Sequence, residues 1–164
     1  MKLMAKKKED KTNVMRVLEQ HSIPYTAHAY PSDGPTDGVS VAKILGQDPE
    51  QVFKTLVTKA ASGNYYVFDI PVAENLDLKK AAKAVGEKSI AMIPQKELLP
   101  LTGYIHGGCS PVGMKKQFPT VFHETVELFD TICVSAGKVG VQVELAPQAL
   151  MGLLGASSAD ITIA

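Results

Sequence analysis

The 164 residues predict one α+β domain, a mixed and mostly antiparallel curled sheet flanked by helices. Three observations carry this expectation. Val52 to Lys59 is apolar on both faces, with Val52 and Leu56 on one and Phe53 and Val57 on the other, as in a strand buried on both sides. Tyr65 to Pro71 is a second strand, joined to the first through a turn containing Gly63-Asn64, so the two read as a hairpin. The other strand and helix signals alternate without the regular βαβ rhythm of a parallel sheet.

The elements follow in order. Residues 1–11 read as a flexible basic tail with Lys6-Lys7-Lys8 solvated, and residues 12–164 as the single domain. Thr12 caps a helix through about Ser22, with Val14, Val17 and Leu18 on one face, and Pro24 stops it. Tyr25 to Tyr30 is extended. Residues 31–38, Pro-Ser-Asp-Gly-Pro-Thr-Asp-Gly, form a turn-rich loop long enough to rim a site. Ser40 caps a short helix to Leu45, ended by Gly46. After the hairpin, Asp77 caps a helix from Leu78 to Val85 that Gly86 terminates. Ser89 to Ile93 is a short strand, and Pro94 opens a helical turn through Leu99. Tyr104 to Gly113 is a glycine-rich loop. Thr120 to His123, Ile132 to Ser135 and Val139 to Leu145 are strands, with a short helical segment between the first two. Pro147 opens a closing helix, Gln148 to Leu154, and Ile161 to Ile163 adds an edge strand.

Composition excludes several classes. Lys plus Arg and Asp plus Glu both number 17, which argues against a protein that holds DNA or RNA by bulk charge. No apolar run approaches the ~18 residues of a membrane span, and the basic start lacks the apolar core of a signal peptide. The expected location is the cytoplasm, with Cys109 and Cys133 reduced. The four histidines are scattered and no CxxC or HxxxH spacing occurs, so neither a metal nor a cofactor is expected.

Lys54 is the residue on which a functional reading turns. It shares a strand face with Val52 and Leu56, and lysine is rarely buried without a partner. Either its ammonium reaches water at the strand end, or it points into a pocket and meets an anion. Gly107-Gly108-Cys109-Ser110-Pro111 lets backbone approach a ligand closely and aims amides at an oxygen, with Ser110 as a further donor. The Ser135-Ala136-Gly137 turn and the hydroxyl of Tyr30 are candidates for the same mouth. Cys109 with His106 or His123 suggests a nucleophile and base, but no carboxylate orienter is apparent.

Phe53-Lys54-Thr55-Leu56, the run Tyr104 to Gly113, Ser135-Ala136-Gly137 and Glu144-Leu145-Ala146-Pro147 stand in an order and spacing that resemble the YbaK/EbsC proteins. These are relatives of the editing domain inserted in bacterial prolyl-tRNA synthetases. The resemblance runs from about Thr12 to Leu154. It implies a barrel-like sheet and a trans-acting hydrolase that deacylates mischarged Cys-tRNA(Pro) for translation fidelity. It implies an essential Lys54, with Thr55, Gly107 and Gly108 lining the pocket and Tyr30 matching a pocket tyrosine; Ser110, Ser135 and Gly137 stand beside them as substrate-binding candidates from the glycine loops. It implies chemistry assisted by the substrate's own ribose hydroxyl or thiol, with no protein nucleophile. The implied partners are the acceptor end of tRNA(Pro) and prolyl-tRNA synthetase. Some relatives carry an acid where this chain has Gln142, so amino-acid preference is open, with Ala-tRNA(Pro) the alternative substrate. A non-catalytic module that binds tRNA or a synthetase, and a hydrolase acting through Cys109, are the competing readings.

Overall fold

A computed structural model describes residues 11–163. The expected basic tail lies outside the described residues except for Lys11, whose Nζ pairs with Glu19 Oε1 at 2.9 Å. The order is α1 (Asn13–Gln20), β1 (Thr26–Ala29), α2 (Gly38–Ile44), β2 (Phe53–Ala60), β3 (Tyr65–Pro71), α3 (Leu78–Val85) and β4 (Ile90–Met92). A 3-10 turn (Gln95–Glu97) leads into α4 (Leu98–Thr102), then β5 (Thr120–His123) and a second 3-10 turn (Glu124–Leu128). The chain closes with β6 (Ile132–Ser135), β7 (Val141–Leu145), α5 (Pro147–Leu154) and β8 (Ser157–Ala159).

The sequence expectation of a mixed, mostly antiparallel sheet becomes two sheets. One has the order β1-β7-β6, antiparallel throughout. The other has the order β4-β2-β3-β5-β8, antiparallel from β4 to β3 and parallel from β3 to β8. They are not closed into a barrel, which corrects the barrel-like expectation. They meet where Val52, just before β2, bridges Cys133 of β6, with the Cys133 amide donating to the Gln51 carbonyl at 3.0 Å. Farther along the same edge of β2, β4 pairs only with Thr58, Lys59 and Ala60. Between these two attachments Phe53 to Leu56 pair with no strand on that edge among the described residues, Val57 only accepts from the Ile93 amide at 3.3 Å, and the two sheets part there.

The alternation of β2 explains its two-sided burial. Phe53 and Val57 join Val67, Phe122, the α1 residues Val14 and Leu18, and Val134, Val143 and Leu145 of the small sheet in the main core. On the opposite face Leu56 and Ala60 pack with Phe68, Ile70, Val121 and the α3 residues Ala81 and Ala82. The expected cap of α3 is present: the Asp77 carboxylate accepts from the amides of Lys79 and Lys80, and Gly86 ends the helix at φ 72°.

Some boundaries differ from the sequence expectation. Asp37, not Ser40, caps α2, since its Oδ2 accepts from the Ser40 amide at 3.1 Å and Ser40 lies inside the first turn. The first helix ends at Gln20, because Ser22 already has a positive φ of 56°. Residues 161–163 supply only a bridge from Thr162 to Leu76, and the edge strand is Ser157–Ala159, parallel to β5. At the start of α2 the backbone nearly touches β3's exit. A Cβ on Gly38 would stand 2.3 Å from Val72 Cγ1 and 2.6 Å from Val72 Cβ. Gly38→Ala is therefore expected to push α2 outward at a cost of about 1–3 kcal/mol, read as a lower urea midpoint with an unchanged slope.

Candidate active site

The open stretch of β2 is one wall of a cleft of about 520 Å³. Strand β2 contributes Phe53, Lys54, Thr55, Leu56 and Val57. The β4 side adds Met92, Ile93 and Gln95, and the small sheet adds Ser135 and Gln142. The long loop contributes Thr36 and Asp37 at the rim, and the glycine loop contributes His106, Gly107 and Cys109. Residues far apart in sequence thus meet because the two sheets splay from a shared hinge at Val52.

Lys54 is half-buried and makes no hydrogen bond or ion pair among the described residues. Its pKa lies below the ordinary lysine value because burial disfavours the ammonium, and the Glu74 carboxylate opposes that shift from a distance. An ammonium with unmade hydrogen bonds in a partly dry cleft attracts a carbonyl, phosphate or developing oxyanion.

Thr55, the next residue, projects from the other face of β2, and its hydroxyl is hydrogen-bonded to Asp69 Oδ1 at 2.5 Å. Asp69 stands opposite Thr55 in the β2–β3 register and is fully buried. Its second oxygen, Oδ2, has no partner among the described residues. Burial pushes its carboxyl up to about 8, with the Thr55 hydrogen bond opposing the shift. Sequence reasoning missed Asp69, since a single acid in a strand reads as a solvent-facing position.

Tyr30 lines the cleft, anchored by its amide donating to the Gly140 carbonyl at 2.9 Å. Ser135 lines it as well, and its Oγ accepts from the Gly137 amide at 3.1 Å. Three of the expected site residues, Gly108, Ser110 and Gly137, are not on the wall. A Cβ on Gly108 would meet the backbone of Lys138 and Val139 at 3.0–3.1 Å, so this glycine lets the two loops touch. Ser110 is buried, and its Oγ accepts from the Val112 amide at 3.2 Å. Gly137 sits at φ 98° against Val14 and Tyr104. These three shape the loops that hold Gly107, Cys109 and Ser135.

Gln142 is buried, and its Oε1 accepts from Gln47 Nε2 at 2.8 Å. Behind it the donor atoms of His28, Cys133 and Glu144 lie within 4.8 Å of one another. His28 Nε2 and Glu144 Oε1 are already paired at 2.7 Å, and Thr131 donates to Glu144 Oε2 at 2.5 Å. These contacts account for the cluster as a structural hydrogen-bonded group.

Cys109 does not resemble an activated nucleophile. Its thiol is pushed up to about 12, first by burial and then by the Asp69 charge, and it has no hydrogen bond to a histidine among the described residues. Cys109→Ala is expected to lower hydrolysis at this site by less than about threefold, where a cysteine nucleophile would lose nearly all of it.

Comparison with known proteins accords with this geometry. Residues 36–153 match the aminoacyl-tRNA editing domain. An Enterococcus faecalis protein provisionally named Cys-tRNA(Pro)/Cys-tRNA(Cys) deacylase EbsC is 48% identical over 161 residues, spanning 97% of this chain and 98% of that one. A crystal structure described provisionally as a trans-editing enzyme for prolyl tRNA synthetase is 26% identical, with a TM-score of 0.80 over 92% of this chain and 95% of that one. The hypothetical protein APE2540, at 20% identity and a TM-score of 0.85 over 93% of this chain and 100% of that one, shares the fold. No helix of the described residues is long and apolar enough to cross a membrane. With the domain matched over more than two thirds of its length and a relative this similar end to end, the chain belongs to the aminoacyl-tRNA editing domain family.

Proposed function

We propose that the protein is a trans-acting deacylase that removes cysteine from mischarged Cys-tRNA(Pro). The observation that carries this reading is Lys54, which has no ion-pair partner among the described residues and lines the open seam of β2 in a cleft of about 520 Å³. The names of the Enterococcus relative and of the trans-editing structure support the substrate class.

In this reading the terminal aminoacyl ester enters between β2 and the glycine loop. Water adds to the ester carbonyl, the acyl–oxygen bond breaks, and the ribose oxygen leaves with a proton. Lys54 stabilises the oxyanion, or fixes the terminal phosphate and ribose so that the ester is presented to water. Thr55, Gly107, Ser135 and Tyr30 surround the aminoacyl group, while Gly108, Ser110 and Gly137 hold the loops. The neighbouring ribose hydroxyl or the cysteinyl thiol supplies the assistance that no protein nucleophile offers. An aminoacyl ester is already activated, so modest stabilisation suffices.

A balanced net charge gives little grip on tRNA. Prolyl-tRNA synthetase is the partner that would deliver the substrate, and a cytoplasmic location follows from that substrate. The test is release of labelled amino acid from Cys-, Ala- and Pro-tRNA(Pro). Cysteine release at least tenfold faster than alanine release, with Pro-tRNA(Pro) spared, is expected. Faster alanine release would keep the reaction and reassign the substrate. Absence of hydrolysis by folded protein would favour a binding module.

A further inference from the structure

Asp69 has no role in the chemistry above, yet it is attached to a residue that does. Its carboxyl is wholly buried, one oxygen is bonded to Thr55 on the cleft wall, and the other oxygen has no partner among the described residues. Buried carboxyl groups are seldom left half-satisfied, and a carboxylate placed there would be an uncompensated buried charge. Three neighbours define its surroundings. Thr55 comes from β2, Phe122 lies opposite it on β5, and Cys109 approaches from the glycine loop. Cys109 feels the Asp69 charge, and its thiol stays neutral below about 12. Lys54 is on the opposite face of β2, with Glu74 as its charged neighbour.

We propose that Asp69 is a positioning residue that works only when neutral: as an acid it sets the Thr55 hydroxyl towards the ester, and as a carboxylate it blocks hydrolysis. The inference rests on the deacylase reading. A neutral carboxyl can share its proton with Thr55 Oγ1, which frees the Thr55 proton for an oxygen in the cleft. A carboxylate can only accept, so it draws the Thr55 proton inward. It also places a negative charge behind a carbonyl on which negative charge must develop. Both effects slow the reaction. The fully buried acid is the form that the surroundings favour, with ionisation deferred to about pH 8.

The experiment is the pH profile of Cys-tRNA(Pro) deacylation from pH 6 to pH 9, corrected for uncatalysed ester hydrolysis. It compares the wild type with Asp69→Asn, which cannot ionise, and Asp69→Val, which cannot hydrogen-bond to Thr55. Expected for the wild type is a fall of about tenfold between pH 7 and pH 9, the loss that one group titrating near 8 produces. Asp69→Asn should lose that fall, and Asp69→Val should be at least about tenfold slower than the wild type at pH 7 and should show no alkaline fall. The same alkaline fall in Asp69→Asn would overturn the inference and assign the fall to Lys54 or to the tRNA. A fully active Asp69→Val would also overturn it. An inactive wild type would instead overturn the deacylase reading, and this inference with it.

Discussion

Lys54→Ala is expected to slow deacylation by about 10²–10³, the cost of removing one preorganised donor from a developing oxyanion. The fold should not change. Lys54 is half-buried and makes no hydrogen bond or ion pair among the described residues, so its truncation leaves no buried partner behind. Its burial already works against the ammonium, so the melting temperature should stay constant or rise slightly. A lysine kept for stability would show the opposite pattern, with lower stability and intact turnover. Lys54→Arg separates the two roles assigned to the cation. A guanidinium keeps the charge but is larger and planar, so it should retain tRNA affinity better than it retains rate. The measurement is a single-turnover rate beside a binding titration.

The second large effect is on stability. Asp69→Asn is expected to stabilise the protein, and to do so more at pH 8 than at pH 5. The carboxyl titrates near 3.8 when unfolded and near 8 when folded. Between these values the folded chain keeps a proton that the unfolded chain has released, so wild-type stability falls as pH rises. From pH 5 to pH 8 the loss is on the order of 3–4 kcal/mol, or roughly 6–16 °C in melting temperature for a domain of this size. The amide removes the loss while keeping a hydrogen-bonding group beside Thr55. Other carboxylates do not obscure this window. Glu144 is lowered by its bonds to Thr131 and His28, and Asp37 by its bonds to Ser40, which moves the titration of each away from this window. Glu50 is raised by burial and by Glu74, so it adds to the slope in both proteins and cancels in their comparison. Equal slopes of melting temperature against pH would contradict the assignment. A buried acid that lowers stability at neutral pH beside a cleft has the character of a functional residue.

Much of this architecture is legible in the residues themselves. The two-faced apolar pattern of 52–59 and the Gly63-Asn64 turn are enough to define the central hairpin. The Asp77 and Gly86 signals bracket α3 correctly because caps are local chemistry. The seam is not legible, because it depends on where β4 and β6 attach along β2. That is decided by pairings between residues tens of positions apart. Strand β8, Ser-Ser-Ala, has neither apolar alternation nor bulk, and only the parallel edge of β5 makes it a strand. Asp37 and Ser40 are both good caps, and sequence alone does not choose between them.

The candidate site divides in the same way. Lys54 stands out as a cation on an apolar face, and the glycine runs stand out as places of close approach. Which glycines face the cleft and which join loops depends on long-range packing, such as that of residues 138–139 against Gly108. Asp69 and the Gln47–Gln142 bond need the third dimension, since each is an ordinary polar residue until its neighbours are known.

The most direct test of Lys54 as the centre of the reaction is the release of radiolabelled cysteine from Cys-tRNA(Pro), with wild-type protein and Lys54→Ala run side by side after both are shown to be folded. Rapid release by the wild type is predicted, with release by the variant slower by about 10²–10³. Equal rates for the two proteins would remove Lys54 from the chemistry, and with it the claim that the open seam of β2 is where the ester is cut.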